Sequence, residues 1–304
     1  MSDSKEKQKL RLLILGGSGM LGHKLWQVLS QRFDAFVTFR NLADAYTRYG
    51  IFDAERSLGG IAADDPDALS KAISRINPDA ILNCIGVVKQ DAAASDPLTS
   101  ISVNALFPHQ LAKLSRASRA RLIHISTDCV FSGRQGNYSE EAIADAEDLY
   151  GRTKYLGELS GEGCLTLRTS MIGRELKGTH GLVEWFLSQQ GNKIRGFRRA
   201  VFSGFTTNAL ATIIGDIVER HPNLEGVYNL AANPISKFDL LTLIKQKGGL
   251  EIDIEEDETF ICDRSLNGER FNAATGFVPP DWSDMVENIF SDSTPYDEIR
   301  RSHC

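Results

Sequence analysis

An apolar run, Leu12-Leu13-Ile14-Leu15, ends in the turn Gly16-Gly17-Ser18-Gly19-Met20-Leu21-Gly22, and a helical pattern begins directly after it. The spacing G-x-x-G-x-x-G constrains the chain strongly at this point. Glycines let the backbone turn tightly and approach a ligand closely, while the helix start offers unpaired N–H groups and a partial positive charge. A buried strand, a glycine turn and a helix N-terminus make an anion site. Its place after the first strand points to the pyrophosphate of a dinucleotide. The residues expected to line it are Gly16, Ser18, Gly19, Met20, Leu21 and Gly22. The spacing departs from the commoner G-x-G-x-x-G, and small-residue turns also arise in ordinary loops.

The alternation of apolar runs and helical patterns continues. Ala35–Phe39, Ala80–Cys84 and Leu122–Ile125 read as further buried strands, with helices near His23–Arg32, Asp67–Arg75 and Leu98–Ser118. Strands without polar alternation, spaced by helices, need a sheet covered on both faces. Right-handed crossovers then give an α/β fold with a doubly wound parallel sheet. After about residue 170 the rhythm loosens. A helix pattern at Thr207–Arg220, a strand-like Gly226–Leu230, the acidic stretch at Glu251–Glu258 and a Pro279-Pro280 turn before a final helix follow. This reading divides the chain into a disordered tail (1–10), a Rossmann-like domain (11–170) and a smaller, mainly substrate-binding C-terminal domain (171–304), some elements of which return to the main sheet.

Composition narrows the function classes. The net charge of −6 over 304 residues argues against a general nucleic-acid binder, since phosphate neutralisation needs a basic surface. No apolar run approaches the ~20 residues that span a bilayer, and the charged start MSDSKEKQKL has no apolar signal core. The five cysteines form no C-x-x-C pair, so neither a zinc site nor a disulfide framework is expected, and a reducing cytoplasm fits. The acidic stretch lacks the spacing of a calcium loop and reads as a solvated strand or loop. No metal is expected.

The chemistry concentrates near the middle of the chain. Tyr150 and Lys154 share one face of a helix, being four residues apart in LYGRTKYLGEL. A nearby cation favours the phenolate and tunes a phenol toward acid–base work; an ordinary amphipathic helix also produces such pairs. Thr127 ends the strand RLIHIST, and the carboxyl ends of parallel strands are where such sheets build their sites. A hydroxyl there can bond both a substrate carbonyl and the phenol.

With these residues in place, the sequence resembles the extended short-chain dehydrogenase/reductases, and more narrowly the dTDP-4-dehydrorhamnose reductase-like family. The matching stretches are LILGGSGMLG (13–22), PDAILNCIG (78–86), HISTDCVFSG (124–133), YGRTKYLGE (150–158), LRTSMIG (167–173) and GVYNLA (226–231), with FSGFTTNALATII (202–214) and DRSLNGERF (263–271) on the substrate side. The resemblance implies a nicotinamide cofactor and a nucleotide-linked 4-keto-6-deoxyhexose, reduced in the synthesis of surface polysaccharide precursors. It implies Thr127, Tyr150 and Lys154 as catalytic residues and Asn104 as an organiser of the site. Ala62, Ala63, Cys84, Ile85 and Gly86 would join the glycine loop, Tyr150 and Lys154 around the cofactor. Val87, Lys89, Thr127, Met171, Arg199, Lys237 and Arg264 would meet the substrate. Three positions depart from the family pattern. Cys129 stands where Tyr is usual, Asn83-Cys84-Ile85-Gly86 replaces N-A-A-A, and Ala62 stands where an aspartate often meets adenine.

Several residues have two readings. Arg40 follows the second strand, where an acidic residue often holds the ribose hydroxyls of NAD; an arginine there suits the 2′-phosphate of NADP, and Asp44 is its acidic rival. NADPH is the preferred cofactor on this reading, with NAD the alternative. Arg195, Arg198 and Arg199 suit a pyrophosphate or a solvated basic face, and Lys89 suits substrate or a plain surface loop. His124 reads as a satisfied core histidine, and Cys84 and Cys129 as small buried hydrophobes. Two other functions stay open: an epimerase or dehydratase holding NAD tightly, and a non-catalytic regulatory subunit that keeps the same motifs. The dehydratase is disfavoured because Asp128 is followed by Cys129 rather than by glutamate. The sequence does not specify an oligomeric state and is compatible with a homodimer.

Overall fold

The apolar runs of the first half assemble into one parallel sheet. A computed structural model describes residues 9–89 and 92–301. In it β1 (Arg11–Leu15), β2 (Asp34–Thr38), β3 (Ser57–Leu58), β4 (Ala80–Asn83), β5 (Arg121–Ile125), β6 (Cys164–Arg168) and a strand at Gly226–Asn229 form a seven-stranded sheet. The spatial order is Gly226–Asn229, β6, β5, β4, β1, β2, β3, and every pairing is parallel. The chain winds outward from β1 to β3 and then returns to place β4 on the other side of β1. That reversal opens a crevice at the carboxyl ends of β1 and β4.

Both faces are covered, which is why the strands carry no polar alternation. Leu12 and Ile14 point into a core shared with helix α1 (Met20–Leu29) and the helix Thr207–Arg220. Leu13 and Leu15 point the other way, toward the helices Pro66–Ile76 and Phe107–Ala117. All four are fully buried. The expected tail lies mostly outside the described residues, as does Cys304.

Two features differ from the sequence expectation, and one agrees with it. The single helix read at Leu98–Ser118 is in fact a short helix at Pro97–Ser100, a π-helical turn at Ile101–Leu106 and a helix at Phe107–Ala117. Pro108 has no N–H, so the carbonyl of Asn104 loses its ordinary helical donor and the turn widens. That carbonyl meets the backbone at Gly157, where a Cβ would stand only 2.0 Å from it. The acidic stretch is, of its two expected forms, a largely solvated strand, Asp253–Asp257, paired in parallel with Lys193–Phe197. Finally, the helix after the Pro-Pro turn, Trp282–Phe290, is not the last. A further helix, Tyr296–Arg301, packs Tyr296 and Ile299 into the core beside α1. Among the described residues no helix is long and apolar enough to cross a membrane.

Candidate active site

The loops leaving the carboxyl ends of β1, β4 and β5 converge, and the glycine turn is the floor of the crevice. Gly16 has φ +84°, a conformation that favours glycine, and a Cβ on it would lie 3.2 Å from the carbonyl carbon of Cys84. On Gly22 a Cβ would stand 2.1 Å from the Gly16 carbonyl oxygen, so turn and helix meet backbone to backbone. Gly19 is different. It is exposed, it caps α1 without a side-chain cap, and no protein atom comes closer than 3.3 Å to where its Cβ would be. Its missing side chain leaves open space outside the protein, and the first N–H groups of α1 have no acceptor within the helix. Such a cradle fits a dinucleotide pyrophosphate. Ser18 and Met20 are half-buried beside it, whereas Leu21 puts its side chain into the core and can offer only backbone.

The neighbouring loops carry the other expected cofactor residues. Arg40 is exposed directly after β2 and makes no ion pair among the described residues; Asp44 opens the short helix Asp44–Thr47. Ala62 and Ala63 are half-buried beyond β3, where the Ile61 N–H donates to the Phe39 carbonyl at 2.9 Å. After β4, Asn104 from the π turn holds Val87 by both backbone groups, accepting from its N–H at 2.9 Å and donating to its carbonyl at 2.9 Å. A Cβ on Gly86 would lie 3.3 Å from Asn104 Oδ1 and 3.9 Å from Lys154 Nζ. Asn104, Lys154 and the β4 loop therefore meet. Ile85 sits half-buried on the same loop.

The helix carrying Tyr150 and Lys154, Leu149–Leu156, starts where Asp148 accepts from the Gly151 N–H at 2.9 Å. Thr127, at the end of β5, accepts from the Cys129 N–H at 3.1 Å and donates to Asp128 Oδ1 at 3.2 Å. Its hydroxyl lies beside the Tyr150 phenol and favours the ionised form of that group. Burial dominates over this and pushes the phenol up, with Cys129, Asp128 and Asp148 adding to the push. Sequence spacing suggested that Lys154 would ease the ionisation. Instead its long stem carries the ammonium to β5, where it donates to the Ile125 carbonyl at 2.7 Å. Burial brings Lys154 down to about 8, against weaker support from Glu158 and Cys84.

Across the crevice, two cations face a buried carboxylate. Asp128 is raised by burial, and Arg264 and Lys237 oppose the rise. Arg264 donates to the carbonyls of Phe131 (2.9 Å) and Ser132 (3.4 Å) and reaches Cys129 Sγ at 3.8 Å. Lys89 pairs with Asp148 at 2.7 Å. Met171 is half-buried on the short strand Met171–Ile172. Arg199 is exposed in the turn before the strand Ala200–Phe202 and carries no ion pair among the described residues. Arg195 and Arg198 are instead tied to Asp257, and to Asp239 and Glu256.

The sequence reading missed Asp128 and Asp148 as site residues. Both had a signal: an acid directly after a strand-end threonine, and an acid two residues before the tyrosine in the N-cap position. Two expectations need correction. Cys84 and Cys129 are half-buried at the crevice rather than core hydrophobes, because each follows its strand instead of lying within it. His124 is buried as expected, but only Nδ1 has a partner, Asn83 Nδ2 at 3.0 Å; among the described residues Nε2 has none. No group of three or more potential metal-ligating side chains occurs among the described residues.

Comparison with known proteins agrees with this geometry. The family model "RmlD substrate binding domain" matches residues 10–294. A dTDP-4-dehydrorhamnose reductase from Streptomyces griseus is 33% identical over 149 residues, covering 49% of this chain and 43% of the relative. The match thus spans less than half of that relative's length. Methionine adenosyltransferase 2 subunit beta from Xenopus laevis is 26% identical over 251 residues, covering 76% of this chain and 70% of the relative. The solved structure of dTDP-4-dehydrorhamnose reductase from Bacillus anthracis in complex with NADP superposes with a TM-score of 0.77 at 22% identity, covering 94% of this chain and all of that one. The likeness is of fold, Rossmann-like and α/β. With its crevice, its Thr-Tyr-Lys cluster and a family match over nearly its whole length, the chain belongs to the RmlD substrate-binding domain family.

Proposed function

We propose that the protein is an NAD(P)H-dependent reductase of a nucleotide-linked 4-keto-6-deoxyhexose, acting in the cytoplasm. One observation carries the reading: Thr127, Tyr150 and Lys154 meet at the carboxyl edge of the sheet, next to a glycine cradle open on its outer side. NADPH held along Gly16, Ser18, Gly19 and Met20 would supply the hydride. Thr127 orients the sugar carbonyl. Tyr150, kept protonated by its burial, is in the form a general acid needs and gives its proton to the oxygen as negative charge develops there. Lys154, desolvated and bound to a backbone carbonyl, offers its remaining donors to a ribose and then helps restore the phenol's proton.

The exposed, ion-pair-free Arg40 suits a 2′-phosphate and favours NADPH over NADH. Lys89, Lys237 and Arg264 suit the substrate's diphosphate, with Val87, Met171 and Arg199 farther along the same opening. In this reading residues 11–170 hold the cofactor and residues 171–304 mainly the sugar nucleotide. The test is NADPH oxidation against dTDP-, UDP- and GDP-linked 4-keto-6-deoxyhexoses. Turnover of one of them supports the reading. Dinucleotide binding with no turnover of any would favour a regulatory subunit instead.

A further inference from the structure

A second set of buried polar groups lies behind the glycine cradle, against α1. His23, fully buried on α1, makes two bonds to the carbonyl of Gly19. Its backbone N–H donates at 3.2 Å and its ring Nδ1 at 2.8 Å. A carbonyl only accepts, so Nδ1 carries the proton. Burial holds His23 down to about 4, leaving the ring neutral at pH 7 and Nε2 as an acceptor. The hydroxyl of Tyr296 lies 3.0 Å from that nitrogen.

The Tyr296 hydroxyl has one proton and two acceptors in reach, since Asp292 Oδ2 is also 3.0 Å away. Asp292 is already served by the ammonium of Lys24 and by the Thr294 N–H (3.1 Å) and hydroxyl (2.7 Å). The Tyr296 hydroxyl donates to Asp292 Oδ2 and shares that proton with His23 Nε2, which among the described residues has no other donor, so the phenol links the imidazole to the C-terminal segment. The same C-terminal segment has another anchor. Arg300 and Arg174 both pair with the buried Glu184 at 2.6 Å, and Arg300 also donates to the Glu175 carbonyl at 3.0 Å. Glu175 accepts from the Gly181 N–H at 2.8 Å, and Gly181 lies so close to Met20 that a Cβ would stand 2.6 Å from its terminal methyl. Residues 292–300 thus reach the glycine turn by two routes.

We propose that Tyr296, acting through His23, is a positioning residue for the dinucleotide turn: it keeps the Gly19 carbonyl folded back onto α1, so that N–H groups rather than an acceptor oxygen face the pyrophosphate. The inference rests on the dinucleotide reading above. A carbonyl released from His23 would be free to turn its negative end toward the phosphates and weaken binding.

The test is a fluorescence titration of NADPH into wild type, Tyr296→Phe, His23→Gln and the double variant, with kcat measured at saturating NADPH. Tyr296→Phe keeps the ring and loses only the hydroxyl. It should raise the dissociation constant about 5- to 10-fold, the worth of one hydrogen bond, and change kcat at saturation less than 2-fold. The double variant should bind no more weakly than His23→Gln alone, because the two residues act in series. In wild type, NADPH should also slow amide exchange at both 19–24 and 292–300, a readout that does not depend on any variant folding. A folded Tyr296→Phe with wild-type affinity, or exchange at 292–300 indifferent to NADPH, overturns the inference. If wild type binds no dinucleotide at all, the cradle reading itself fails and the inference falls with it.

Discussion

Lys24 and Lys154 are both almost fully buried, at 3% and 5% exposure, yet they are partnered in opposite ways. Lys24 lies on the carboxylate of Asp292 and also donates to Gln27 Oε1 at 2.6 Å and Thr294 Oγ1 at 3.3 Å. Among the described residues Lys154 bonds only the Ile125 carbonyl, because the nearby Glu158 is committed to Arg168 (2.8 Å) and Ser126 (2.8 Å). Two tyrosines, Tyr296 and Tyr150, repeat the contrast. Tyr296 is held between His23 and Asp292, whereas the half-buried Tyr150 has the Thr127 hydroxyl beside it at the crevice. Burial alone therefore does not mark a reactive group. A buried charge with its counter-charge fixes structure; one left with only a dipole is poised for chemistry.

The contrast can be broken first at the tyrosines. Tyr150→Phe should lower kcat on the order of 10²–10⁴-fold while leaving NADPH affinity nearly intact, since the proton donor goes and the ring stays. Near-normal turnover by the folded variant would remove Tyr150 as the acid. The lysines come next. Lys24→Met strands a buried carboxylate and should cost about 3–5 kcal/mol of unfolding free energy in a denaturant titration. Lys154→Met removes a cation that burial disfavours, so stability should hold or rise while turnover is lost. Equal destabilisation by both would erase the distinction.

The pH dependence of stability sharpens it further. His23 sits at about 4 in the folded protein against 6.5 as its ordinary value. Below pH 6.5 the unfolded chain takes up a proton that the native ring refuses, so stability is complete above pH 6.5 and is lost as the pH falls toward 4. The loss is at most about 3 kcal/mol. His23→Gln should flatten the stability curve in that window, with the same-signed contribution of His124 remaining. The smallest effect expected is at the cofactor's far end. Arg40→Ala should cut the preference for NADPH over NADH about 10- to 150-fold and spare NADH, a charge-assisted contact of about 1.5–3 kcal/mol. The comparison of kcat/KM should be made at one ionic strength. An equal loss with both cofactors would return Arg40 to the surface.

Most of the sheet was legible because its strands are buried on both faces and read as unbroken apolar runs: Leu12–Leu15 and Ala80–Asn83 need no long-range information. The glycine turn and the Tyr-Lys pair were legible from spacing. What spacing could not tell was where long side chains end. The pair Tyr150 and Lys154 shares a helix face, but the ammonium goes to β5 and leaves the phenol to Thr127. The π turn at Ile101–Leu106 was hidden because its cause is a donor missing at Pro108, inside a pattern that otherwise suits a helix. The helix Tyr296–Arg301 was missed for a related reason. It is short and highly charged, and it is stable only through partners as remote in sequence as His23 and Glu184.

The most direct test of the central claim follows one hydrogen atom. NADPH deuterated at the transferable position of the nicotinamide is given to the wild-type protein with a nucleotide-linked 4-keto-6-deoxyhexose, and any product is examined by mass spectrometry and NMR. A reductase built on Thr127, Tyr150 and Lys154 should place one deuterium on sugar C4, with one NADPH consumed per product, and Tyr150→Phe should slow that transfer. An altered sugar without deuterium or net NADPH consumption, or no altered sugar with any of the keto sugars, would contradict the account.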